Sequence, residues 1–183
     1  VLILSLAAAW RNSLRGLILL AGILLYVAYA YALYAFGALY NGFFLVYIAL
    51  VGLPIYALIG IVTHIPSEAY RSQLKAHFPE KLVSLYLMSV AVLVMVVWIS
   101  FLLRAMATQT LSAGINTVYV LDLALLLPAF MLSAIQLWRR RPLGYLLSGI
   151  LLVKAVTLGL SIVLGKMVAY VQLGIFSVGR VGL

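Results

Sequence analysis

Apolar residues along this chain come in long unbroken runs, with no alternation of apolar and polar positions. Runs at about 16–36, 43–63, 82–103, 119–138 and 143–166 are each long enough to cross ~30 Å of hydrocarbon, which takes about 20 helical residues. Membrane strands would show a two-residue alternation, so the pattern predicts helices. The first residues, VLILSLAAA (1–9), would cover only about 14 Å as a helix. They read as the C-terminal half of a first span, about 1–10, that continues upstream. The expected fold is therefore all-α. It is a polytopic transmembrane helical bundle with five complete spans plus part of a first, forming one integral membrane domain over 1–183.

Composition agrees with the pattern. Of 183 residues, 67% are hydrophobic and 8% charged, where soluble domains carry about 25% charged residues. The net charge of +9 would raise nucleic acid as a partner in a soluble protein. Here its distribution gives a simpler cause. Arg11, Arg15, Arg71, Lys75, Lys81, Arg139, Arg140 and Arg141 fall in alternate loops, and Arg104, Lys166 and Arg180 fall on the other side. Excess Lys and Arg mark cytoplasmic loops, which predicts a multi-pass protein of the cytoplasmic membrane with an external C-terminus. No nucleic-acid partner is expected. The chain has no cysteine, which removes disulfides, thiolate metal ligands and cysteine nucleophiles.

The segment 64–81 should lie at the cytoplasmic surface. Within it, PSEAYRSQLKAHF (66–78) reads as a short helix, with Ser67 as N-cap and Glu68 in the first turn. Tyr70, Leu74 and Phe78 would share one face at the headgroups; a solvated connector is the competing reading. The segment after the last span, 167–183, is apolar enough to lie along a partner.

Candidate chemistry is sparse. The acids are Glu68, Glu80 and Asp122, and the histidines are His64 and His77. A metal set of His64, Glu68 and His77 is outweighed by a solvated polar loop, so no metal is expected. No phosphate-binding glycine loop or nucleophile motif is present, and the chain reads as a non-enzyme without catalytic residues. Two charges remain inside spans, Asp122 and Lys154. Such residues usually face the bundle interior and pair. Counted from the RRRP turn (139–142), Asp122 stands about 24 Å up its helix and Lys154 about 17 Å up the next, a gap of roughly 7 Å that a lysine stem can bridge. An Asp122–Lys154 ion pair is the leading site candidate, with Arg104 a competitor for Asp122. At about 100° per residue, Asp122 shares a stripe with Ala129, Ser133 and Gln136, and Lys154 shares one with Thr157, Ser161 and Gly165. Ser133, Gln136, Thr157 and Ser161 thus form a supporting polar stripe where helices approach closely.

Aromatics crowd the first complete span and its exit, YVAYAYALYAFGALYN (26–41). Tyr26, Tyr29, Phe36 and Tyr40 share a face, which suits packing or a site for a bound lipid, quinone or pigment; no cofactor is otherwise expected. Pro54 and Pro128 free the carbonyls of Leu50 and Ala124 and predict kinks.

Two stretches carry a family resemblance. They are YVAYAYALYAFGALYNGFFLVYIALVGLPIYALIG (26–60) and VYVLDLALLLPAF (118–130), the second followed by LWRRRPLGYLLSGILLVKAVTLGL (137–160). They resemble an uncharacterised family of small multi-pass prokaryotic membrane proteins. Relatives are expected to carry Asn-Pro at Asn41-Gly42, His at Tyr119 and Trp at Leu143. The resemblance implies a fold and a membrane address, and no activity. If the His at Tyr119 served relatives as a ligand or proton carrier, this chain would lack that role.

The sequence favours a non-enzymatic accessory or interaction subunit whose partners are membrane lipids and other membrane-protein subunits. One alternative is a small transporter or channel for a proton, ion or small solute using Asp122 and Lys154. The other is a lipid-, quinone- or pigment-binding membrane protein.

Overall fold

The structure is a computed structural model that describes residues 13–37, 40–74, 78–108 and 113–173. The expected partial span at 1–10, Lys75, His77 and the end of the apolar tail (174–183) lie outside the described residues. Among the described residues seven α-helices follow one another: α1 (Leu14–Gly37), α2 (Phe44–His64), α3 (Ser67–Gln73), α4 (Glu80–Thr108), α5 (Ala113–Leu121), α6 (Leu127–Trp138) and α7 (Pro142–Leu173). A π-helical turn, Asp122–Leu126, joins α5 to α6. The protein is an all-α, multi-pass membrane bundle. Five of the described helical segments are long and apolar enough to cross a membrane, α5 and α6 together making one of them. Helices are the physical answer to such runs, because hydrocarbon offers backbone groups no partners outside the segment itself.

α1 and α7 are central. α1 packs against α2, α5 and α7, and α7 packs against α1, α3 and α6, while α4 packs against α6. One core cluster joins α4, α6 and α7 through Leu87, Ala91, Leu127, Phe130, Ala134 and Leu151. The Ser84 hydroxyl, missed in the sequence reading, ties α4 to α6 by donating to the Ala134 carbonyl at 2.7 Å. A second cluster joins α1, α7 and the end of α2 through Ile18, Ala21, Ile65, Leu146 and Ile150. The α1–α7 crossing is close because Gly22 has no side chain. A Cβ there would lie 2.5 Å from Cβ and Cγ1 of Val153 and 2.9 Å from the Ile150 carbonyl oxygen.

The α6–α7 hairpin is tight for identifiable reasons. Arg140 adopts a left-handed conformation, φ 55°. Its N–H donates to the Leu137 carbonyl and that of Arg141 to the Gln136 carbonyl, both at 2.9 Å. This is the 5→2 and 6→1 bonding of a Schellman turn. Pro142 then opens α7, where its missing N–H costs nothing.

Two elements, α7 and α3, differ from the sequence expectation. The helix of the last span continues past 166: α7 runs to Leu173, because MVAYVQL (167–173) contains no glycine or proline to stop it. Ser67 is not the N-cap of α3; Pro66 stands there and Ser67 is the first helical residue. Tyr70 packs inward on the Ile18–Leu146 cluster, and its hydroxyl would meet a Cβ on Gly149 at 3.0 Å. Pro54 lies inside one continuous helix. The break expected at Pro128 takes the form of the π turn, in which the Leu127 N–H reaches back to the Asp122 carbonyl.

Candidate functional site

The site forms where α1, α4, α7 and the π turn converge. Pro128 has no N–H for the Ala124 carbonyl, and its ring crowds that carbonyl. The helix relaxes into i→i+5 bonding over the preceding turn, whose first residue is Asp122. The Asp122 carboxylate is 7% exposed. It accepts a hydrogen bond from the Tyr29 hydroxyl of α1 at 2.8 Å and one from the Trp98 indole N–H of α4 at 2.9 Å. Each oxygen has its own neutral donor. Trp98 is set by Tyr119, whose ring meets it edge-on at 4.8 Å between centroids.

Lys154 is 1% exposed and is the largest of the fully buried side chains. Its ammonium nitrogen lies 4.0 Å from the centre of the Tyr29 ring, on the negative face that attracts cations. Asp122 and Lys154 form no ion pair with each other. Among the described residues, the side-chain ion pairs within contact are Arg71–Glu68 at 3.8 Å and Arg140–Glu80 at 2.8 Å. The two intramembrane charges meet instead on one tyrosine, the anion at its hydroxyl and the cation at its face. Arg104 is exposed and is not a partner of Asp122.

The supporting stripe does not bridge helices. Thr157 and Ser161 donate within α7, to the carbonyls of Val153 and Leu158, each at 2.8 Å. Ser133 Oγ and Gln136 Oε1 are buried with no hydrogen-bond partner among the described residues. The aromatic face divides. Tyr26 and Tyr29 line a cleft of about 570 Å³ between α1, α5 and α7, together with Tyr34 and Ser161. Phe36 and Tyr40 point away, 70% and 86% exposed. Tyr34 also joins Tyr31 and Tyr47 in an aromatic cluster that ties α1 to α2.

Sequence reasoning named Tyr29 without linking it to Asp122, and it missed Trp98. The tryptophan gave one signal: Trp98 is an indole N–H well inside a span, and such a group needs an acceptor. It also missed the polar cluster at the basic end. There Glu80 accepts from Arg140 Nε at 2.8 Å and from the Tyr145 hydroxyl, and Arg71 lies 5.8 Å from the centre of the Tyr145 ring. Among the described residues no group of three His, Asp or Glu side chains is placed to hold a metal.

No family model, curated protein or solved structure matches the chain.

Proposed function

We propose that the protein is a small transporter or channel for a proton, ion or small solute, with Asp122, Tyr29 and Lys154 as its charge-handling group. One observation carries this reading: both charges are buried, and they are not bonded to each other. Burying a charge costs several kcal/mol, by order of magnitude, unless a partner offsets it. A pair serving only to close the α6–α7 hairpin would make the direct contact that Arg140 and Glu80 make near that turn. Holding the carboxylate on neutral donors and the ammonium on a ring face leaves each with capacity for a mobile partner. The cleft beside Tyr29 offers a way in. Ser133 Oγ and Gln136 Oε1, buried on α6 toward the basic end, need water or a solute to satisfy them. The proposal includes the address: a prokaryotic inner membrane, as the family resemblance implies, with the arginine-rich end in the cytoplasm and the C-terminus external, as the loop charges imply.

The test is flux in proteoliposomes carrying a trapped pH-sensitive dye under an imposed potential, for Asp122→Asn, Lys154→Met and the double variant. Folded single variants that have lost flux, with no recovery in the double, are expected. Single variants that fail to fold, and a double variant that folds again, would show the group to be structural.

A second reading, an accessory subunit, draws on α2. That helix packs mainly on α1 and exposes Leu45, Leu53, Tyr56 and Ile59 along its outer side. Under it, purification in mild detergent yields a stoichiometric partner and the isolated chain shows no flux.

A further inference from the structure

The basic end of the bundle carries a second concavity, distinct from the Asp122 site. α3 folds back onto α7 and leaves a groove of about 370 Å³ between α1, α3 and α7. Its polar part holds Arg15, Tyr70, Tyr145 and Ser148, and its apolar part runs along Leu19, Leu152 and Val153. An adjoining hollow of about 280 Å³ shares Arg15 and Tyr70. Volumes of this order suit small-molecule sites.

Among the described residues Arg15 has no counter-ion. The acidic side chains of the chain are Glu68, Glu80 and Asp122. Glu68 pairs with Arg71 at 3.8 Å. Glu80 is taken by Arg140 and the Tyr145 hydroxyl. Asp122 is bonded inside the bundle by Tyr29 and Trp98. An exposed guanidinium therefore stands in the polar part of a groove that continues along the aliphatic side chains of Leu19, Leu152 and Val153. Tyr70 lines both hollows together with Arg15, which brings a hydroxyl donor to the same groove.

We propose that this groove binds an anionic phospholipid, with Arg15 and Tyr70 on the phosphate and an acyl chain along Leu19, Leu152 and Val153. A guanidinium recognises phosphate through paired N–H donors. Basic pockets between membrane helices at the headgroup level are established places for such lipids. An occupant with both an anion and a chain fits, because the groove offers a cation and hydroxyl groups in one part and the aliphatic side chains of Leu19, Leu152 and Val153 in the other.

The full chain, purified in mild detergent, tests this by thermal unfolding during titration with phosphatidylglycerol, phosphatidylcholine or inorganic phosphate. Phosphatidylglycerol should raise the unfolding temperature saturably and phosphatidylcholine should not. Arg15→Gln should weaken the phosphatidylglycerol midpoint at least about fivefold, the loss expected for one cation at a lipid surface. Leu19→Trp, which fills the groove from an exposed position, should weaken it as well. Equal stabilisation by phosphatidylcholine, or an unchanged midpoint in either variant, overturns the proposal. A saturable shift with inorganic phosphate alone overturns it too, in favour of a site for free phosphate.

Discussion

Replacing Tyr29 by Phe and by Leu separates the two bonds that meet on its ring. Tyr29→Phe keeps the face that holds the Lys154 ammonium at 4.0 Å and removes the hydroxyl that donates to Asp122 at 2.8 Å. A hydrogen bond to a charged group contributes about 1.5–3 kcal/mol in water-soluble proteins. Measured polar contacts inside membrane bundles average about 0.6 and reach about 1.7 kcal/mol. The ranges overlap near about 1.5 kcal/mol, roughly a tenfold change in the unfolding constant. Tyr29→Leu also removes the cation–π contact, worth about 2 kcal/mol where the cation is desolvated, so it should cost about 2 kcal/mol more than Phe. Equilibrium unfolding in mixed micelles reads both values. The chemistry supplies a control: in an Asp122→Ala background the Tyr29 hydroxyl has lost its acceptor, so Tyr29→Phe should be neutral or stabilising. Equal costs for Phe and Leu would refute the cation–π contact. An unchanged cost of Tyr29→Phe in the Asp122→Ala background would refute the hydrogen bond.

Glycine positions should divide sharply by what surrounds them. At Gly144 a Cβ would sit 2.5 Å from the Gln136 carbonyl carbon and 2.7 Å from the Leu137 Cα. Gly144→Ala should therefore cost at least about 1–3 kcal/mol of unfolding free energy, as overpacking against fixed backbone does. Gly52→Ala, Gly60→Ala and Gly159→Ala face open space and should be neutral, or stabilise by up to about 1 kcal/mol through helix propensity. At the membrane surface, burial pushes the Tyr70 phenol above its ordinary 10.0, against the opposing pull of Arg15. Its neutral form is thus favoured by folding. The stability it contributes is full below pH 10.0 and falls as pH rises through the folded value, where the unfolded state has already lost its proton. Tyr70→Phe should flatten that part of the alkaline unfolding profile; an identical profile would remove the burial argument.

The spans were legible because their signal is long and one-dimensional. An apolar run of about 20 residues leaves the backbone no choice but a helix, so each of the five expected runs falls on a helical segment, the run at 43–63 starting one residue before its helix. Ends were less legible. α7 continues through 167–173 because nothing there breaks a helix, a negative signal that a hydropathy boundary does not register. The hairpin turn was visible as RRRP. Its left-handed residue is Arg140 and not a glycine, so the usual marker of a Schellman turn was absent.

The site was half legible for a more specific reason. Charge in an apolar run singles out Asp122 and Lys154 without any structure. Their partners depend on rotation about the helix axis, and the count that assigned Asp122 to the stripe of Ser133 and Gln136 assumed an unbroken α-helix between them. The π turn intervenes. An i→i+5 turn takes in an extra residue, which rotates the helix before it by roughly 100° relative to the helix beyond it. Asp122 begins that turn, and its side chain goes to Tyr29 and Trp98, while Ser133 Oγ and Gln136 Oε1 are left without partners among the described residues. Pro128 was the warning, since a missing donor must be absorbed by some change in the bonding before it. What a proline cannot announce is which change, and here that choice decides whether the carboxylate faces the small-residue stripe of its own helix or the tyrosine that also carries the lysine.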